Sequence, residues 1–162
     1  MPTIEQTIDF IIAAHEGQTD KIGEPYWRHP VSVMERLGPA ATNDEKLAAL
    51  LHDIVEDTQH SLDDLRDLGY SEAVVEAVRI LTKPHGIPYL ECIRAIAASG
   101  NKIAIRVKIA DNEDNSDPRR VSLLPHKQRD FSQRYAESLK ILRSAMEELA
   151  ASTDTTTSPA NP

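Results

Sequence analysis

Leu47-Ala48-Ala49-Leu50-Leu51-His52-Asp53-Ile54-Val55-Glu56-Asp57 is the densest apolar stretch of the chain, and polar, chemistry-bearing side chains are set into it. Its spacing is that of a buried helix, capped by Thr42 or Asn43 and running from 44 to about 58. Burying an unpaired carboxylate costs several kcal/mol. A helix that places His52, Asp53, Glu56 and Asp57 among Leu, Ile and Val therefore needs a compensating partner. On a continuous helix, residues four apart share a face, so the spacing predicts that His52 stacks with Glu56 and Asp53 with Asp57. A divalent metal would answer the need. It offsets the desolvation of Asp53 and takes a neutral His52 as ligand.

Outward from this stretch, apolar spacing stays helical. Thr3 caps a first helix whose Ile4, Ile8, Ile11 and Ile12 recur at helical intervals and which Gly17 ends. A polar loop follows to Arg28. Pro30 suits the first turn of a second helix that stops near Gly38-Pro39. Ser61 and Ser71 open two more, Pro88 begins another, and the segment 101–115 follows. Within it, Ile103-Ala104-Ile105-Arg106-Val107-Lys108-Ile109 alternates as a strand would, but its length and the residues after it favour a buried helix. A long helix is expected over about 125–151. The expected fold is all-α, a compact multi-helix bundle with short connections. One domain covers residues 1–151. The stretch 152–162, whose apolar residues are all Ala, is expected to be a disordered tail.

Composition narrows the function classes. The chain has 162 residues, with 18 Lys plus Arg against 26 Asp plus Glu and a net charge of -8. Such an acidic surface argues against nucleic-acid binding, which relies on basic surface. There is no apolar run of about 18 residues and no basic-then-apolar leader pattern, so no membrane partner is expected. The single cysteine, Cys92, excludes an internal disulfide and a Cys-based zinc cluster, and points to a reducing, cytoplasmic setting.

Two further residues complete a ligand set. His29 precedes Pro30 at a loop-to-helix junction, and Asp111 ends the apolar run from Ile103, with Asn115 four residues on. His29, His52, Asp53 and Asp111 form a mixed nitrogen and oxygen set that suits Mn²⁺, Fe²⁺ or Zn²⁺.

The pattern His…His-Asp…Asp resembles that of the HD phosphohydrolase superfamily. Four stretches sharpen the likeness: Ala14-His15-Glu16-Gly17-Gln18, Lys21-Ile22-Gly23-Glu24-Pro25-Tyr26-Trp27-Arg28-His29-Pro30, Ala48 through Thr58, and Val107-Lys108-Ile109-Ala110-Asp111. Together they resemble the hydrolase domain of RelA/SpoT-type proteins, over roughly residues 8 to 115. The resemblance implies an HD-type bundle that removes the 3′-pyrophosphate of (p)ppGpp, turning ppGpp and water into GDP and pyrophosphate. It implies metal ligands at His29, His52, Asp53 and Asp111, with Mn²⁺ the usual ion. It implies a catalytic acidic pair at Glu56 and Asp57, and a substrate contact at Asn115. Lys21, with Asn115, would hold the ribose or phosphate end of a small nucleotide or phosphoester. At this length, a small stand-alone hydrolase is expected.

One position and one segment depart from that pattern. Asp20 stands where the family carries an arginine that packs on guanine. Asp111 is followed by Asn112-Glu113-Asp114-Asn115-Ser116-Asp117, where basic residues are usual. Lys21, Lys108, Arg119 and Arg120 offset this in part. An HD phosphohydrolase acting on another nucleotide or phosphoester is the alternative. A helical binding module stapled by its metal is a further one, against which the retained Glu56 and Asp57 stand.

Overall fold

Side-chain caps set where the helices begin. Thr3 and Gln6, Thr42 and Glu45, and Ser61 and Asp64 each form a reciprocal capping box, while Ser71 and Asn101 accept from Val74 N and Ala104 N. The computed structural model describes residues 1–124 and 132–154. Along them run α1 (Ile4–Ala14), α2 (Arg28–Arg36), α3 (Asn43–Leu51), α4 (Ile54–Asp57), α5 (Leu62–Asp67), α6 (Glu72–Leu81), α7 (Tyr89–Ala98), α8 (Lys102–Asn115), α9 (Pro118–Val121) and α10 (Ser132–Asp154). The architecture is an all-α bundle. Among the described residues the extended chain amounts to one isolated antiparallel bridge, Thr19 with Pro25. The alternating run from Ile103 is helix α8, as its length argued.

Two helices carry the centre. Helix α3 packs on α1, α2, α6 and α8, and α8 packs on α2, α3, α6, α7 and α10. Both are enclosed, so both are apolar on more than one face. Leu47, Ala48, Ala49, Leu50 and Leu51 are all buried, as are Ala104, Ile105, Val107 and Ala110. Arg106 on α8 donates to Glu45 Oε1 at 2.6 Å, while Glu45 Oε2 accepts from Thr42 N at 2.7 Å, so one carboxylate both caps α3 and ties it to α8. Leu51 is wholly buried beside His52. Leu51→Ala is expected to cost about 2–5 kcal/mol through lost burial and the cavity left behind. Denaturant unfolding checks this, and a loss under about 1 kcal/mol would contradict the enclosed position given to α3.

The expected helix over 44–58 is in fact two. It stops after Leu51, and Asp53 adopts φ -106° and ψ 1° before α4 starts. That conformation lies in the bridge region, where active-site residues often sit. The amides of Glu56 and Asp57 then both donate to Asp53 O, at 3.1 and 3.0 Å. The predicted stacking of His52 on Glu56 and Asp53 on Asp57 presumed an unbroken helix, and the break re-aims Asp53 toward His52 and Tyr26. Helix α10 is described from Ser132 and continues to Asp154, past the expected end at Ala151. The expected start near Pro125 and residues 155–162 of the expected tail lie outside the described residues.

Candidate metal centre and its cavity

Three helical segments bring the predicted ligands together. His29 enters from the first turn of α2, His52 and Asp53 from the α3–α4 break, and Asp111 from the third turn of α8. Ligand atoms of His29, His52 and Asp53 all lie within 4.8 Å of one another. His29 Nε2 is 3.1 Å from Asp111 Oδ1 and 3.9 Å from Asp53 Oδ2. His52 Nε2 is 2.9 Å from Asp53 Oδ2 and 3.7 Å from Asp111 Oδ1.

Hydrogen bonds behind the imidazoles choose their tautomers. His52 Nδ1 lies 2.8 Å from Ala49 O, which can only accept, so Nδ1 carries the proton. His29 Nδ1 lies 2.8 Å from Asp114 Oδ2 and donates likewise. In the neutral rings both Nε2 lone pairs then face the cluster, the arrangement in which histidine binds a metal. His52 Nε2 is buried and, among the described residues, makes no hydrogen bond, although Asp53 is close. A buried polar atom of this kind ordinarily has a partner. A divalent cation fits the place chemically, and His29, His52, Asp53 and Asp111 are the residues that can hold it.

The electrostatics say the same. Burial opposes charge on both imidazoles, but Asp111 and Asp114 outweigh it at His29, and Asp53 and Asp111 at His52, so both pKa values rise above the ordinary histidine value. Burial also opposes charge on Asp53 and Asp111. His52 holds the first below the carboxylate range, and Lys108 with the two imidazoles holds the second there. The carboxylates of the cluster thus favour positive charge beside them, as a proton on an imidazole or as a bound cation.

Around the four lies a polar shell. Tyr26 OH donates to Asp53 Oδ2 at 2.5 Å. Asp111 accepts from Asn115 Nδ2 at 2.6 Å and pairs with Lys108 Nζ at 2.8 Å. The expected substrate contact Asn115 thus rests on a predicted metal ligand, and Lys108, counted among the cations offsetting the acidic run, pairs with the same carboxylate. Glu56 Oε1 accepts from Lys83 N at 2.6 Å. Burial, then the neighbouring Asp53, push the carboxyls of Glu56 and Asp57 above the usual range, with the Lys83 amide working against this at Glu56. All these groups, with Lys21, line a cavity of about 330 Å³. Leu81, Tyr89, Ile93 and Ile96 add apolar surface to its lining. His15 is no part of it: it ends α1 with Nδ1 2.9 Å from Gln18 Oε1.

Asp114 is the residue that sequence reasoning missed. Within the acidic run from Glu113 to Asp117, Asp114 is 1% and Asp117 9% exposed. Asp114 accepts from His29 Nδ1, Ser32 Oγ, Arg36 Nε and Arg120 Nη1. Burial works against its charge, but those donors hold its pKa down at about 2. The signal was its place, three residues past Asp111 and so on the same helix face. Because Asp114 orients His29, Asp114→Asn is expected to weaken divalent-metal binding about 10–100-fold. Calorimetric titration with Mn²⁺ checks this, and unchanged affinity would mean that His29 does not depend on it.

This arrangement places the chain in a family. The HD domain family matches residues 26–119, and the chain belongs to it. It is 36% identical over 112 residues to the bifunctional (p)ppGpp synthase/hydrolase SpoT of Escherichia coli K12, an alignment covering 63% of this chain and 16% of that protein. It is 32% identical over 119 residues to a guanosine-3′,5′-bis(diphosphate) 3′-pyrophosphohydrolase of Aquifex aeolicus, covering 69% of this chain and 17% of the relative. The chain therefore spans about a sixth of the length of these relatives. Its fold is like that of a solved structure described as a metazoan ortholog of SpoT that hydrolyses ppGpp, with TM-score 0.72, 24% identity, and coverage of 94% of this chain and 97% of the other. No described helix is long and apolar enough to cross a membrane.

Proposed function

We propose that this chain is a metal-dependent phosphohydrolase that acts as a guanosine-3′,5′-bis(diphosphate) 3′-pyrophosphohydrolase, converting ppGpp and water to GDP and pyrophosphate. The observation that carries the reading is the orphaned, buried Nε2 of His52, turned by Ala49 O toward three other donor groups beside an acidic pair. The likeness to proteins named for this reaction supports the substrate.

His29, His52, Asp53 and Asp111 would hold a divalent ion, Mn²⁺ on this reading, which would supply Lewis acidity there. The chain's own groups do the rest. In the reaction a new P–O bond forms from water, the P–O3′ bond breaks, and O3′ takes a proton. Glu56 and Asp57, with pKa values raised by burial and by Asp53, accept a proton more readily than ordinary surface carboxylates. The Lys83 amide fixes Glu56, and Tyr26 fixes Asp53. Asn115 and Lys21 hold the ribose or phosphate end of the substrate. On this reading residues 1–151 are the hydrolase domain, and the single, buried Cys92 fits a cytoplasmic setting.

The test is turnover. Protein loaded with Mn²⁺ is expected to release GDP and pyrophosphate from ppGpp, with no guanosine product carrying a shortened 5′ end. One observation favours a second reading. Asp20 and Asp117 engage Arg120 and Arg119, which reduces the cationic surface open to a highly charged substrate. Protein that leaves ppGpp intact but releases phosphate or pyrophosphate from other nucleotides would establish that reading instead.

A further inference from the structure

A neutral ion-pair cluster borders the cavity beside the metal centre. Asp20, Asp114 and Asp117 face Arg36, Arg119 and Arg120, three carboxylates against three guanidiniums. Of these, Asp20 and Arg120 line the cavity. Arg120 Nη1 donates to Asp114 Oδ2 at 2.7 Å and Nη2 to Asp20 Oδ2 at 3.1 Å. The side chain of Arg120 is 23% exposed, and those of Asp20 and Asp114 are 7% and 1%.

Asp20 is itself fixed. Its Oδ1 accepts from Ile22 N and Glu24 N, both at 3.0 Å, and its carbonyl accepts from Gly23 N at 3.0 Å. Gly23 has φ +85°, which this tight turn requires and a side chain would resist. The turn thus presents a rigid carboxylate that clamps one end of the Arg120 guanidinium, while Asp114 clamps the other. Two constraints follow. The charge of Arg120 is already answered, so an incoming phosphate gains little from it and meets Asp20 as a like charge. The guanidinium plane, however, is held in one orientation before anything binds, and a weakly hydrated plane of this kind stacks well on a flat π-system.

We infer that Arg120 is a specificity-determining residue of this cavity: a clamped guanidinium plane that recognises the flat, uncharged base of a nucleotide substrate and not its phosphates. The inference rests on the reading of the cavity as a nucleotide phosphohydrolase site. The apolar part of the cavity lining, with Tyr89 and Ile93, suits the same kind of group. The charged end of the substrate is left to the metal centre and to Lys21.

Two probes separate the two ends without requiring turnover. Guanosine carries a base and no phosphate, and inorganic pyrophosphate carries phosphate and no base. Each is titrated calorimetrically into Mn²⁺-loaded protein, wild type and Arg120→Lys. The lysine keeps the charge and loses the plane. Guanosine is expected to bind the wild type with little dependence on salt, and about tenfold more weakly to the variant. Pyrophosphate binding is expected to change less than about twofold. Loss of pyrophosphate binding with guanosine unaffected would make Arg120 a phosphate ligand and overturn the inference. So would no change for either probe, which would leave Arg120 a structural brace, and so would failure of guanosine to bind the wild type. Asp20→Asn guards against a variant that loses its metal. It loosens the clamp while remaining outside the ligand set, and a weaker, guanosine-selective loss is expected, equal losses for both probes counting against the inference. Guanosine binding that depends on Arg120, in protein that does not hydrolyse ppGpp, would keep this inference and defeat the substrate assignment above.

Discussion

His52→Ala is expected to remove the bound metal and to abolish phosphohydrolysis while leaving the helices in place. His52 is tied to its own turn by the 2.8 Å bond to Ala49 O, and its other nitrogen faces the carboxylates of Asp53 and Asp111, which belong to the proposed cation site. Removing a group that merely orients a metal ligand typically costs 10–100-fold in affinity or activity. Removing the ligand should cost more, roughly a thousandfold or beyond in turnover. Asp53→Ala should act alike, since Asp53 faces both imidazoles and its loss leaves Tyr26 OH without its acceptor. Metal analysis and turnover on the same samples, with circular dichroism as control, check both. A folded His52→Ala protein with full metal content would show that His52 is not a ligand.

Asp57→Asn is the second large effect, and it separates chemistry from metal binding. Asp57 stands at the end of α4, outside the four-residue cluster, with an elevated carboxyl pKa caused by burial and by Asp53. If it manages a proton in the transition state, the amide should lower kcat about 10²–10⁴-fold. KM and metal content should barely move. Glu56→Gln should shift kcat in the same direction, because glutamine retains the oxygen that accepts from Lys83 N but cannot take a proton. Glu56 and Asp57 line the cavity and lie outside the hydrophobic core, so stability should stay within about 0.5 kcal/mol. Unchanged kcat in both variants would reduce the pair to ordinary surface charge.

Much of this was legible in the sequence because its signals were local. Thr3, Thr42, Ser61, Ser71 and Asn101 cap the helices they mark, since a cap is decided within four residues. Burial marked His52 and Asp53, because polar groups in an apolar helix have to meet something, while the full set with His29 and Asp111 came with the resemblance to the HD pattern. What escaped was set by tertiary contacts. The break at Asp53 carries no Gly or Pro, and an unbroken apolar period hid it. The role of Asp114 escaped because its partners Ser32 and Arg36 lie about eighty residues away in sequence. Asp20 read as a missing cation, and its partner Arg120, a hundred residues on in α9, lies beyond the reach of any local pattern.

The most direct measurement is the metal content of freshly purified protein, before and after dialysis against Mn²⁺, read by elemental analysis beside the His52→Ala variant. A single divalent ion per wild-type chain, taken up again after chelation and absent from the variant, is the predicted result. Wild-type protein that holds no divalent transition ion and acquires none when it is offered would contradict the account at its root.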